Sequence, residues 1–103
     1  MTMQTDEQSH DTGVTVKLFA GLRYLFGQKE SRVAIGQAAD IGWLLEALCT
    51  TPEQRHGLLD ESGGIGEGFL VLLNGHNIAF LGGAGATLHD GDEIAIFPPI
   101  AGG

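Results

Sequence analysis

Gly102 and Gly103, which close this 103-residue sequence, are where chemistry has the least competition. A terminal carboxylate is a poor electrophile. Converted to an acyl-adenylate by a partner enzyme with ATP, it becomes a good one, and a persulfide attacking that carbon leaves a thiocarboxylate. Two glycines suit such an end, because backbone without Cβ atoms can thread a narrow channel. Ahead of them stand Pro98, Pro99, Ile100 and Ala101. The prolines fix φ and remove donors, so they stiffen the exit from whatever precedes them. A frayed terminus can also end in glycine. What sets this string apart is its prolines, placed directly after a strand-like run.

Other candidates are weaker. Cys49 is the only cysteine, so no internal disulfide and no Cys-based zinc site can form. It follows the apolar face of a helical pattern, as a buried structural thiol would. His10, His56, His76 and His89 show no paired ligand spacing. Gly64-Ile65-Gly66-Glu67-Gly68 lacks the strand-loop-helix setting and the lysine of a phosphate-binding loop, and reads as a flexible loop. Gly82-Gly83-Ala84-Gly85 occurs once and lacks the aspartate of a calcium-binding repeat. Asp90, Asp92 and Glu93 admit two readings, an acidic surface that meets a basic rim on a partner or simple turn chemistry. Their spacing is not that of a calcium loop.

The elements that must position the tail follow from periodicity. Residues 1–13 are polar and aperiodic and read as a disordered tail, with the folded domain spanning 14–103. Val14 to Ala20 alternate as a strand, residues 31–36 form a second, and Gly27 to Glu30 supply turn residues for a hairpin. Asp40 is placed as an N-cap, with Ile41, Leu44, Leu45 and Leu48 on one helical face and Trp43 on its flank. Pro52 marks the end of that helix or a following turn, and residues 53–61 suit a short second helical turn. Phe69 to Leu73 is an apolar run suited to a buried strand, Asn74-Gly75 a tight turn, 76–81 a return strand, and Glu93 to Phe97 the last strand. Two strands, a helix and then further strands describe an α+β domain, a mixed sheet with a helix on one face. Phe19 and Phe97 each sit opposite the core side of their strands.

Composition excludes several classes. A chain this short holds one core and buries about two-thirds of its unfolded surface, which favours a carrier or binding module over an enzyme with a deep pocket. Only Lys17, Arg23, Lys29, Arg32 and Arg55 are basic, scattered along a chain of net charge −8, so no nucleic-acid partner is expected. The acidity instead suits a basic protein partner, or merely keeps the chain dispersed. No apolar run approaches the roughly 18–20 residues of a membrane span, and the start lacks a signal peptide. A cytoplasmic, reducing location is expected.

Three segments carry a resemblance: LLEALC (44–49), LLNGHNI (72–78) and LHDGDEIAIFPPIAGG (88–103). In that order they resemble the MoaD/ThiS sulfur-carrier family, across roughly Val14 to Gly103, and the last string is most similar to that of molybdopterin synthase small subunits. The resemblance implies a β-grasp, ubiquitin-like fold, in which the first and last strands are neighbours, so Phe19 and Phe97 are expected side by side on the helix-free face, as an exposed docking patch for a partner or partly covered by the long loops. It implies that Gly103 is adenylated and thiocarboxylated, that Gly102 fits the activating enzyme's channel, and that Pro98, Pro99, Ile100 and Ala101 are gripped by partners. Those partners would be a ubiquitin-activating-like adenylyltransferase that uses ATP and the molybdopterin synthase large subunit, where sulfur passes to a pterin precursor. No cofactor would be bound by the carrier itself, and no metal. Relatives serving thiamine, cysteine or tRNA thiolation keep another pathway open. So does protein modification, in which Gly103 forms an isopeptide bond to target lysines. A third class is an interaction module whose tail is inert.

Overall fold

The computed structural model describes residues 12–100. Strand β1 (Gly13–Leu18) pairs antiparallel with β2 (Glu30–Ala34) and parallel with β5 (Glu93–Phe97). On the other side β5 pairs antiparallel with β3 (Leu70–Leu73), which pairs with the two-residue β4 (His76–Asn77), giving the order β2-β1-β5-β3-β4. The first and last strands are thus central neighbours, and the expected mixed sheet is present.

Alternation sets the two faces of that sheet. Val14, Val16 and Leu18 of β1, Val71 and Leu73 of β3, and Ile94 and Ile96 of β5 all point into the core. Helix α2 (Ile41–Leu48) lays Ile41, Leu44, Leu45 and Leu48 on them. Asp40 caps this helix as expected, its carboxylate accepting from Trp43 N–H at 2.8 Å, and Trp43 stays on the flank, 43% exposed.

Several boundaries differ from the sequence reading. β1 starts one residue early, at Gly13, whose N–H donates to Asp90 Oδ1 at 2.9 Å. The second strand covers 30–34 rather than 31–36. Between β1 and β2 the chain inserts a helix that periodicity did not reveal, α1 (Leu22–Phe26), closed by Gly27 at φ 75. The second helical turn is α3 (Pro52–Leu58), with Thr51 Oγ1 accepting from Gln54 N–H and Pro52 in the first turn. Gly57 inside α3 has a packing cause, since a Cβ there would lie 2.5 Å from Leu25 Cδ2 on α1. The return strand expected over 76–81 stops at Asn77. Its side chain accepts from Ala79 N–H at 2.9 Å and starts a 3₁₀ turn over Ile78–Phe80. The Asn74-Gly75 turn is as expected, both residues in the left-handed region at φ 51 and 86. Among the described residues no helix is long and apolar enough to cross a membrane.

Candidate functional site

The site is built where β5 ends. Parallel pairing puts Phe19, just beyond β1, beside Phe97 at the end of β5, and Phe19 N–H donates to Ile96 C=O at 3.2 Å. The two rings stack with centroids 4.2 Å apart and planes 12° from parallel, on the face that no helix covers. The aromatic pair expected from alternation and the β-grasp strand order is therefore present and half-buried. Leu70, which faces Phe97 across the antiparallel pair, extends the patch and is 39% exposed. Phe19, Leu70 and Phe97 join Pro98, Pro99 and Ile100 around an apolar groove of about 570 Å³. Ile100 is 87% exposed at its outer end.

Two backbone features fix the exit of the chain. Ala20, on the groove wall, holds φ 54, a left-handed conformation that costs a non-glycine residue on the order of 1–3 kcal/mol. It lets the chain break from β1 so that Phe19 stays on the sheet face. Opposite it, Gly68 holds φ 88, and a Cβ there would stand 2.9 Å from Cβ and 3.2 Å from Cγ of Pro99. Pro99 thus seats on bare backbone. Its rigid ring converts that seat into a direction for Ile100.

The seat belongs to a loop that is more ordered than its glycines suggest. Asp60 Oδ1 accepts from Ser62 N–H, Ser62 Oγ and Gly64 N–H at 2.9, 2.7 and 3.0 Å. Asp60 N–H donates to Gly64 C=O, and Gly66 N–H to Leu58 C=O. These bonds, the Ser62 hydroxyl first and the Gly64 amide next, hold the Asp60 carboxyl below the ordinary carboxylate range. Phe69 N–H then reaches Gly66 C=O, so the loop is tied on to β3.

The remaining candidates fall into place away from the tail. Asp90, Gly91 and Asp92 stand at the start of β5, and a five-residue strand of about 16 Å separates them from the exit. They do turn work. His89 N–H donates to Asp92 Oδ2 at 2.8 Å, and Asp92 Oδ1 accepts from Asn74 Nδ2 at 3.0 Å. Cys49 is half-buried at the end of α2, its thiol pushed up chiefly by burial, the direction that disfavours a thiolate. Among the described residues no group of three His, Cys, Asp or Glu side chains is arranged to hold a metal. Ala101, Gly102 and Gly103 lie outside the described residues. Sequence reasoning missed Ala20, Gly68 and Leu70. Their signals exist only in three dimensions, as a positive φ, a seat without a Cβ and a cross-strand neighbour.

The pattern of the ThiS family matches residues 16–103. The chain belongs to that family. It is 34% identical over 88 residues to small archaeal modifier protein 3 of Haloferax volcanii, covering 85% of this chain and 96% of that one. The crystal structure of SAMP1 from Haloferax volcanii superposes with a TM-score of 0.78 at 32% identity, over 88% of this chain and 99% of that one. A Pyrococcus furiosus chain described as subunit 1 of a molybdopterin converting factor gives a TM-score of 0.68 at 27% identity, over 86% of this chain and 99% of that one. The ubiquitin-like β-grasp fold of this ThiS-family chain is therefore shared with sulfur carriers and with small modifiers alike.

Proposed function

We propose that this ThiS-family chain is a carrier whose Gly103 is activated by an ATP-dependent, ubiquitin-activating-like adenylyltransferase in the cytoplasm. One observation carries the reading: the chain leaves its central strand over a Gly68 seat, beside a half-buried aromatic pair, ahead of Gly102-Gly103. In the proposed step a carboxylate oxygen of Gly103 attacks the α-phosphorus of ATP, and pyrophosphate departs. A persulfide on a partner cysteine then attacks the carbonyl carbon and expels AMP. A second thiol then attacks the partner's sulfur of the resulting acyl disulfide, forming a disulfide with that cysteine and releasing the thiocarboxylate. Phe19, Phe97, Pro98, Pro99, Ile100, Ala101 and Gly102 position the tail and meet the partner. The sulfur acceptor is a pterin precursor held by a molybdopterin synthase large subunit, a reading supported by the likeness to the molybdopterin converting factor subunit.

A second reading has its own support, because the relative matched in sequence and the SAMP1 structure both bear the name of modifier proteins. In it the same activated Gly103 is transferred to lysine amines. Intact-mass measurement of the protein purified from its native host separates the two. A sulfur-for-oxygen exchange at Gly103 supports the carrier, and isopeptide-linked conjugates support the modifier. Extending the chain past Gly103 is expected to abolish both products while the fold stays intact. Full activity of a C-terminally tagged, unprocessed protein refutes the role of Gly103.

A further inference from the structure

The basic residues look scattered in the sequence, yet the fold gathers them. Lys17 stands on the open face of β1, two residues before Phe19. Lys29 lies next to the start of β2, its C=O accepting from Leu18 N–H at 2.8 Å. Arg23, on α1, donates Nε–H to Leu18 C=O at 3.0 Å and carries its guanidinium 5.4 Å from the centre of the Phe19 ring. Lys17, Arg23 and Lys29 line one depression of about 260 Å³ with Phe19 and Glu30. Arg32 shares this side of the sheet, since it pairs directly with the outward-facing Thr15. Four of the five Lys and Arg residues therefore edge the face that carries the aromatic pair.

Carboxylates are distributed the other way. Register and contacts place Glu30 and Glu93 on this face, with Asp90 at its far end near Arg32. Among the described residues, register and contacts put four cations and three carboxylates on this face, and exposed Glu67 adjoins the groove-lining Gly68, so the face is near balance on a chain whose net charge is −8. Lys17 pairs with Glu93 at 3.2 Å and Arg32 with Asp90 at 3.9 Å. Arg23 and Lys29, both exposed beside Phe19, form no ion pair among the described residues. The two unpaired cations thus sit next to the groove from which the tail departs.

We infer that this face receives an acidic protein segment, one carrying an apolar side chain for the Phe19–Phe97 groove and carboxylates for Arg23 and Lys29. Charge complementarity picks this occupant over the basic partner that net charge alone suggests. A nucleic acid suits the face poorly, because a polyanion must approach a strongly acidic molecule and would find too few cations for a run of phosphates. The chemistry of the segment rests on the surface alone. Its assignment to a loop of the activating enzyme rests on the proposed function.

The test uses the full chain, labelled with ¹⁵N and titrated with three probes. These are a twelve-residue Asp/Glu peptide with a central Leu-Phe, the same peptide with Lys for every acid, and single-stranded oligo(dT) of equal charge. The acidic peptide is expected to shift the amides of Phe19, Arg23, Lys29 and Leu70, with affinity falling steeply as salt rises. Lys29→Glu with Arg23→Gln should weaken it about tenfold, whereas Arg55→Glu, on α3, leaves it unchanged. Lys29→Glu alone guards against misfolding, since that side chain is exposed and makes no contact that holds the fold. Preference of this face for the basic peptide or for oligo(dT), or no response to the acidic peptide, overturns the inference. A second arm measures ATP-pyrophosphate exchange with the host's adenylyltransferase. The double variant should raise KM about tenfold and leave kcat as it was. Wild-type protein that supports no exchange defeats the proposed function and leaves the peptide result standing. Exchange that ignores the charge reversal defeats the assignment to that enzyme.

Discussion

The two sides of one sheet show opposite solutions to the same alternation. On the covered side, Val16, Leu44, Ile94 and Ile96 are fully buried and supply the cohesion of the domain. On the open side, Phe19 and Phe97 stack in partial exposure, with Lys17, Arg23 and Lys29 beside Phe19, and lead into the tail. Each strand contributes to both, because neighbouring residues point to opposite faces. A sheet that buried both faces would be more stable but would offer no surface beside its terminus. Stability and partner contact are thus divided by face, and substitutions on either side should report on one property and spare the other.

The largest effect is expected from the covered side. Leu44→Ala removes a fully buried side chain where α2 meets the sheet, and should cost about 2–5 kcal/mol in chemical denaturation. Phe19→Glu on the open side should lose about 0.5–1.5 kcal/mol from the ring pair together with the burial of a half-buried ring, a smaller loss than Leu44→Ala, while greatly weakening binding of the activating enzyme. A folded Phe19→Glu protein that binds its partners at full affinity breaks the division.

The same division explains what could be read from the sequence. Strand alternation in Val14 to Ala20 and Glu93 to Phe97, with the spacing of Ile41, Leu44, Leu45 and Leu48, was enough for the strands and the helix, whereas the pairing of Phe19 with Phe97 needed the β-grasp strand order that the family resemblance implies. Such patterns are local and repeat along the chain. Helix α1 escaped because it is five residues long, too short to show a period, and buries only Leu22. The end of β4 escaped because one Asn77 side-chain bond turned the chain. Gly68 resembled its neighbours in a glycine-rich run, and only its distance to Pro99, 31 residues later, sets it apart. The basic rim was hidden for a similar reason, since Lys17, Arg23 and Lys29 meet only after the β1–β2 connection folds back on Phe19.

Gly68→Ala sharpens the comparison at the point where fold and tail meet. An alanine at φ 88 costs on the order of 1–3 kcal/mol by conformation. Gly75→Ala is the control, because Gly75 has nearly the same φ, 86, and open space around it. Both variants should lower the denaturation midpoint by similar amounts. Only Gly68→Ala should shift the Ile100 amide and lose the nuclear Overhauser contact between Gly68 Hα and the Pro99 ring. Equal tail spectra in the two variants would remove the seat.

The smallest effect concerns acid. Asp60 holds the seat's loop together, and its carboxyl lies below the ordinary range because the Ser62 hydroxyl and the Gly64 amide bond its charged form. A depressed folded-state pKa gives stability that is complete above the ordinary carboxylate range and fades as pH falls through the lowered value. Asp60→Asn should therefore sit below wild type at neutral pH and converge on it in acid, by a modest margin, because the group is exposed and screened. Glu46 has the same sign, lowered first by its hydrogen bond to Arg55, so Glu46→Gln should converge in acid as well. The two differ in what they hold. Glu46 ties α2 to α3, whereas Asp60 ties the loop that carries Gly68. At neutral pH only Asp60→Asn should move the Ile100 amide. If Glu46→Gln moves it equally, the exit of the tail depends on the whole helical layer and not on one loop under Pro99.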